Sequence, residues 1–290
     1  FRGLQNTFWP MVISIIGAGL NIGLDFVLVY GIEGYIAPMN VIGAAWASVI
    51  AQGVMALLAL GLFLIKTPFS LRISLPFNKE IKNLLGISLN LIIRTASLNV
   101  ALYLANAYAT KYGDHYIAAQ TIAFQIWLFF AFFIDGYSSV GNIVSGKLLG
   151  EQNFKKLWKL SVKLSRYSII IALGFMVVCF GLYRPIGAIF SQDPQVLQSF
   201  YAIFWIVLLM QPINGLAFVF DGIFKGLAEA KILRNLLMIA TFFGFVPVLL
   251  IGDWLGMKLY GIWLAFTVWM VLRAGLLILK FRRKYLIKKG

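Results

Sequence analysis

Hydrophobic positions in this chain come in runs long enough to cross a bilayer, separated by short polar stretches. The runs fall at about 10–31, 41–65, 80–110, 116–148, 158–183, 196–220, 232–251 and 259–280. A hydrocarbon core about 30 Å thick takes about 20 apolar residues of helix to span. Lipid cannot satisfy free backbone groups, so each run is predicted to be a transmembrane helix. Pro10 falls in the first turn of the first span, where its missing N–H does no harm, and Gly31 closes that span. Pro212 and Pro247 lie inside the sixth and seventh spans and are expected to kink them. From Glu151 to Arg166 apolar residues return every three or four positions. That pattern predicts an amphipathic helix on the inner surface, leading into the fifth span. A calmodulin-type target is the alternative for the same basic stretch.

Charge fixes the orientation. The stretch 66–82 carries Lys66, Arg72, Lys79 and Lys82, and 147–166 carries Lys147, Lys155, Lys156, Lys159, Lys163 and Arg166. The loop 221–234 is mildly basic, and the tail from Lys280 adds six cations, while the loops between these are close to neutral. Every second loop is basic, which places those loops and both chain ends in the cytoplasm of a plasma or inner membrane. Composition agrees: 61% of the 290 residues are hydrophobic and 12% charged, with a mean hydropathy of +0.89. The fold class expected is an all-α polytopic membrane protein of eight transmembrane helices. The net charge of +15 does not point to nucleic acid, because the cations cluster at helix ends rather than on one face. Cys179, the only cysteine, excludes an internal disulfide and reads as a small buried hydrophobe.

The chain also repeats itself. Phe1-Arg2-Gly3-Leu4 opens the first span and Phe224-Lys225-Gly226-Leu227 the seventh; Gly43-Ala44-Ala45-Trp46 opens the second and Gly261-Ile262-Trp263 the eighth. Both helix pairs start on the same side, so the repeat is parallel, as in transporters built from two bundles related about the membrane normal. The second copy has four further spans before it, so about 145 residues and four helices are expected upstream of Phe1. Residues 1–66 then close an N-terminal bundle, 67–79 form a cytoplasmic linker, and 80–290 make a six-helix C-terminal bundle with a basic tail.

Little in the chain suggests covalent chemistry. Gly141 to Lys147 spells most of a phosphate-binding loop, but Leu148 follows the lysine and no strand precedes it. His115 is the only histidine, so metal and triad chemistry are excluded and no enzyme is expected. What remains are charges inside the spans: Asp25, Arg94, Asp135 and Arg273. Asn21 and Asp25 lie four residues apart, near mid-membrane and on one helix face, where an amide oxygen and a carboxylate can converge on one cation. Arg94 and Asp135 lie at similar depth, about 24 and 22 Å from the inner ends of their helices. With Asn78 capping the third span, a buried ion pair between them is expected, or a share in the solute cavity. Arg273 is expected to snorkel to the inner surface. Asn99, Gln120, Gln125 and Asn142 are candidates to line a cavity, with helix bridging as the alternative role.

The Phe1–Thr7 stretch followed by a helix with Asn21 and Asp25 resembles the fourth-to-fifth helix junction of the multidrug and toxic compound extrusion (MATE) family. Gly43-Ala-Ala-Trp-Ala-Ser48 resembles its sixth helix. Arg94-Thr95, Ala118-Ala119-Gln120, Asp135-Gly136-Tyr137 and Ser145-Gly146 are similar to its DNA-damage-inducible, DinF-like branch. The resemblance covers the whole chain. It implies a secondary antiporter in which Na⁺ or H⁺ enters while an organic solute, often a cationic drug, leaves. Asn21 and Asp25 match the cation-site positions on the fifth helix, and Ser48 stands where that branch has a Thr on the sixth. Asn142 replaces a frequent Glu and Gln120 a usual Asn. The expected partners are the bilayer and a small organic solute, with no nucleic acid, no cofactor beyond the coupling ion, no metal beyond Na⁺ at Asp25, and a monomer as the working unit. The competing function is a flippase for a lipid-linked oligosaccharide from the same superfamily.

Overall fold

The computed structural model describes Phe1, Asn6 and residues 8–32, 35–67 and 80–287. The expected cap at Asn78, the linker beyond Thr67 and most of the Phe1–Thr7 junction lie outside the described residues. Regular structure among the described residues is helical, apart from one isolated pairing of Ile32 with Ile36. The helices are α1 (Phe8–Val29), α2 (Asn40–Lys66), α3 (Glu80–Tyr112), α4 (Asp114–Gly150), α5 (Phe154–Gly181) and α6 (Tyr183–Phe190). They continue with α7 (Pro194–Leu209), α8 (Gln211–Gly226), α9 (Ala230–Ile239), α10 (Val246–Trp254) and α11 (Leu259–Phe281). Among the described residues, seven helical stretches are long and apolar enough to cross a membrane, and the bent pair α7–α8, taken as one span, makes an eighth. The chain divides into two compact units, Phe1–Asn78 and Lys79–Gly290.

The first unit is the α1–α2 hairpin. The Asn6 carboxamide oxygen accepts the Phe8 N–H at 3.1 Å, which satisfies one of the orphan donors at a helix start. Gly31 ends the outgoing strand of chain at a φ of +77°, where a side chain would be strained. Gly43 then packs so tightly on the Leu28–Val29 backbone that a Cβ has no room. The second unit repeats this turn. Gly256 (φ +69°) and Lys258 (φ +48°) precede Gly261, which lies against Gly252, just as Gly31 and Asn40 (φ +47°) precede Gly43. The sequence repeat therefore carries one hairpin geometry twice.

In the second unit α4 and α8 pack most extensively. A Cβ on Gly226 would overlap the Asn142 carbonyl, and one on Gly222 would lie 2.5 Å from the Ser138 carbonyl oxygen. The Ser145 hydroxyl donates to the Ile223 carbonyl at 3.1 Å. The stretch from Gly141 to Gly146 that imitates a phosphate loop is thus a small-residue seam between helices.

Of the two interior prolines, Pro212 lies at the expected kink, whereas Pro247 follows a change of helix type. α7 and α8 meet at a 51° bend at Met210, just before Pro212, and the Gln211 amide donates across the break to the Val207 carbonyl at 2.9 Å. Ahead of Pro247 the chain instead widens into a π-helical turn, Ala240–Phe245, which accommodates the backbone bond that proline cannot make. The amphipathic stretch 151–166 is not a separate surface helix. Asn153 caps it through the Lys156 N–H at 3.0 Å, and α5 runs unbroken from Phe154 to Gly181, because no residue within it breaks the backbone ladder. The core centres on Trp263, Phe266, Trp269 and Phe245, all buried, while Phe129, Phe132 and Phe133 of α4 stay exposed. That outer apolar surface suits a lipid surround.

Candidate functional site

α8 is enclosed by α4, α5 and α11, and Val219 to Phe224 are all buried. A helix covered on every side must pair any charge it carries. Its buried charge is Asp221. One carboxylate oxygen meets the Arg273 guanidinium of α11 at 3.1 Å. The other meets Arg94 of α3 at 2.6 Å and Lys225, one turn along α8, at 3.3 Å. Lys225 in turn lies 3.9 Å from Asp135 of α4. Four helices are thus tied by one carboxylate and its lysine neighbour. The Arg273 guanidinium also stacks against Phe218 and Trp269, at 5.3 and 5.9 Å from their ring centres, which adds attraction in a dry setting.

The cluster grades from closed to open. Side-chain exposure is 3% at Arg273 and 5% at Asp221, 12% at Arg94, 35% at Lys225 and 58% at Asp135. Three cations against two carboxylates leave one positive charge in excess, and that excess lies with Arg273 and Arg94, which share Asp221, while the accessible end pairs Lys225 with Asp135. The arrangement can hold four helices in register.

Two expectations are corrected here. Arg94 does not pair with Asp135. Equal depth does not fix which way a side chain points, and α3 packs chiefly on α9 rather than α4. The buried face of α4 carries Ile134, Ser138 and Gly141, which turns Asp135 to the open flank. Nor does Arg273 snorkel. It shares a helix face with Phe266, Trp269, Met270 and Leu277, all buried, and its charge is met by Asp221 inside the bundle. Asp221 and Lys225 lie just past the sixth apolar run, which ends near residue 220, and so escape a reading of hydropathy alone. The helix continues to Gly226, and the four-residue Asp–Lys spacing beside Gly222 and Gly226 was the available signal.

In the first unit, Asn21 and Asp25 of α1 are half-buried. The Asn21 amide donates to the Ser48 hydroxyl of α2 at 3.4 Å. Asp25 Oδ1 is buried and has no hydrogen-bond partner among the described residues. The remaining candidates are not brought together. Asn99 and Gln125 are exposed and Asn142 is half-buried on the α8 seam. Gln120 is fully enclosed, with both amide atoms lacking a hydrogen-bond partner among the described residues.

Apolar membrane-spanning helices, a buried charge cluster across four of them and a solitary acid in another define a polytopic membrane protein. A family model described as MatE matches residues 91–255, more than half of the chain: the protein belongs to the MatE family, whose members are transporters and not enzymes. It is 30% identical over 279 residues to Protein DETOXIFICATION 43 of Arabidopsis thaliana, covering 94% of this chain and 50% of that protein. It is 29% identical over 291 residues to DNA damage-inducible protein F of Escherichia coli (strain K12), covering 98% and 61%. The chain therefore spans about half to three-fifths of the length of these relatives. In fold it resembles the outward-facing conformation of a multidrug resistance MATE family transporter of the MOP superfamily, with a TM-score of 0.83 at 21% identity over 95% of this chain and 62% of that one. The two-bundle transporter plan expected from the repeat is the fold of these solved relatives.

Proposed function

We propose that this chain belongs to a secondary antiporter that exports organic, chiefly cationic, solutes as Na⁺ or H⁺ enters. The single observation that carries the reading is Asp25. A carboxylate oxygen without a partner, inside an apolar span, is costly by several kcal/mol on even the lowest scales. A proton or a sodium ion relieves that cost, so the acid binds and releases the coupling ion as its surroundings change. Asn21 and Ser48 bring further oxygens to the same side of the hairpin. The basic loops and chain ends face the cytoplasm of the cell membrane, following the charge alternation. The efflux direction rests on the names of the relatives, which include a multidrug export protein, and the cationic solute class on the family resemblance alone.

One observation favours a second reading of the solute. The Asp221 cluster carries one net positive charge, which suits an acidic group on a molecule that reaches Arg94. A flippase for a lipid-linked sugar is the less favoured alternative, because a pyrophosphate would call for cations free of carboxylates, and here Asp221 and Asp135 engage them.

Proteoliposomes of the full-length protein, loaded with a fluorescent organic cation or an organic anion, test this directly. An imposed Na⁺ or H⁺ gradient accelerates loss of the transported solute, and collapse of the gradient abolishes the acceleration. Equal loss with and without either gradient, or movement of a lipid-linked sugar instead, overturns the proposal.

A further inference from the structure

Where α9 begins and α11 runs into its terminal turn, the second unit holds a cleft of about 780 Å³. Glu229, Lys231 and Asn235 line one side, and Lys280, Arg283 and Lys284 the other. Ala228, in the left-handed region at φ +56°, turns the chain between α8 and α9. The Glu229 N–H closes that turn onto the Phe224 carbonyl at 3.0 Å. The Glu229 carboxylate is already engaged, by the Lys284 ammonium and by the Tyr285 hydroxyl at 3.0 Å. Lys231, Lys280 and Arg283 are left with no ion pair among the described residues. Asn235 adds a donor, because its carbonyl oxygen is held by Arg234 at 2.7 and 2.9 Å and its amide nitrogen is free to donate.

Three unpaired cations gathered on one cleft repel each other unless an anion sits among them. The cleft is far larger than a simple halide needs, and it lies at the end of two spans. One to two turns past Asn235, Ile239 at the end of α9 and Phe243 just beyond it expose apolar side chains, and Leu279 exposes another beside Lys280 on α11. A ligand that fits has a phosphate for the rim and hydrocarbon for the surface below it. The geometry points to a binding site for the phosphodiester headgroup of an anionic phospholipid, with its acyl chains along α9 and α11. Basic pockets between helices at a membrane boundary recognise headgroups in this way. The site is separate from the Asp221 cluster and does not depend on which solute is carried.

Native mass spectrometry of the full-length protein, titrated with phosphatidylglycerol and with phosphatidylcholine, tests the inference. The protein should retain phosphatidylglycerol preferentially. Each of Lys231→Gln, Lys280→Gln and Arg283→Gln should lower the preference about fivefold. Lys155→Gln and Lys159→Gln, on the basic start of α5, should leave it unchanged. Unfolding midpoints in neutral detergent verify that each variant folds, and the three single variants keep the test open if a combined one does not. Equal retention of both lipids overturns the site, as does equal loss in the α5 variants. Displacement of the lipid by millimolar glycerol 3-phosphate with equal ease identifies a free-phosphate site instead and overturns the lipid assignment.

Discussion

Asp221→Asn isolates the charge that holds the second unit together. The substitution preserves shape and removes the anion that Arg273 meets at 3.1 Å and Arg94 at 2.6 Å. Breaking a buried pair by removing one partner costs about 3–5 kcal/mol, because the other charge is left unmet. Arg94 and Lys225 retain access to water, so the penalty is set chiefly by Arg273, which is 3% exposed. A loss of about 3–5 kcal/mol is therefore expected in reversible unfolding by a denaturing detergent. Asp135→Asn is the internal comparison. Its carboxylate is 58% exposed and 3.9 Å from Lys225, so screening limits its effect to below about 1 kcal/mol. A combined Arg94→Leu, Asp221→Leu, Arg273→Met variant removes every unmet charge and should recover most of the stability. It should not recover transport if the cluster's open end handles solute. An Asp221→Asn protein within about 1 kcal/mol of the parent, or an Asp135→Asn protein equally destabilised, would refute this reasoning.

Three other outcomes follow from the same geometry. Exchanging the charges of Arg94 and Asp221 together should restore part of the folding lost in either single reversal, whereas exchanging Arg94 and Asp135 should restore none; yield of folded protein in membranes decides this. Gly226→Leu should cost about 1–3 kcal/mol in unfolding, since the Asn142 carbonyl occupies the space that a side chain needs; an unchanged midpoint would mean that α4 and α8 separate freely. Ser48→Ala removes the acceptor of the Asn21 amide and should weaken coupling-ion affinity in ion-titrated efflux while leaving the maximal rate largely intact; an unchanged ion dependence removes Ser48 from the site.

The hydrophobic runs made the spans legible, because lipid forces each one into a complete helix. Irregular backbone at Pro212 and Pro247 is legible in position, but not in form. A missing N–H can be absorbed by a break, as at Met210, or by a π turn, as at Ala240–Phe245, and neighbouring packing decides which. Depth along a helix was readable from residue counts, whereas the facing direction was not. That is why Arg94 was matched with Asp135, and why Asp221, at the polar end of an apolar run, was passed over. Arg273 was readable in principle: it continues the stripe of Phe266, Trp269, Met270 and Leu277 at helical spacing, and a charge on a core stripe needs a partner inside. Asn21 and Asp25 were found from spacing on one helix. Ser48, on another helix, came only from resemblance, because no local pattern relates it to Asn21.

In the proposed antiport cycle, Asp25 links ion entry to solute exit. The most direct measurement compares the full-length protein and its Asp25→Asn variant in proteoliposomes, recording solute binding and gradient-driven efflux on the same preparation. The variant should insert and bind solute with near-parental affinity, yet its efflux should no longer respond to an imposed Na⁺ or H⁺ gradient. Efflux by the variant that still tracks the gradient at the parental rate would contradict the account.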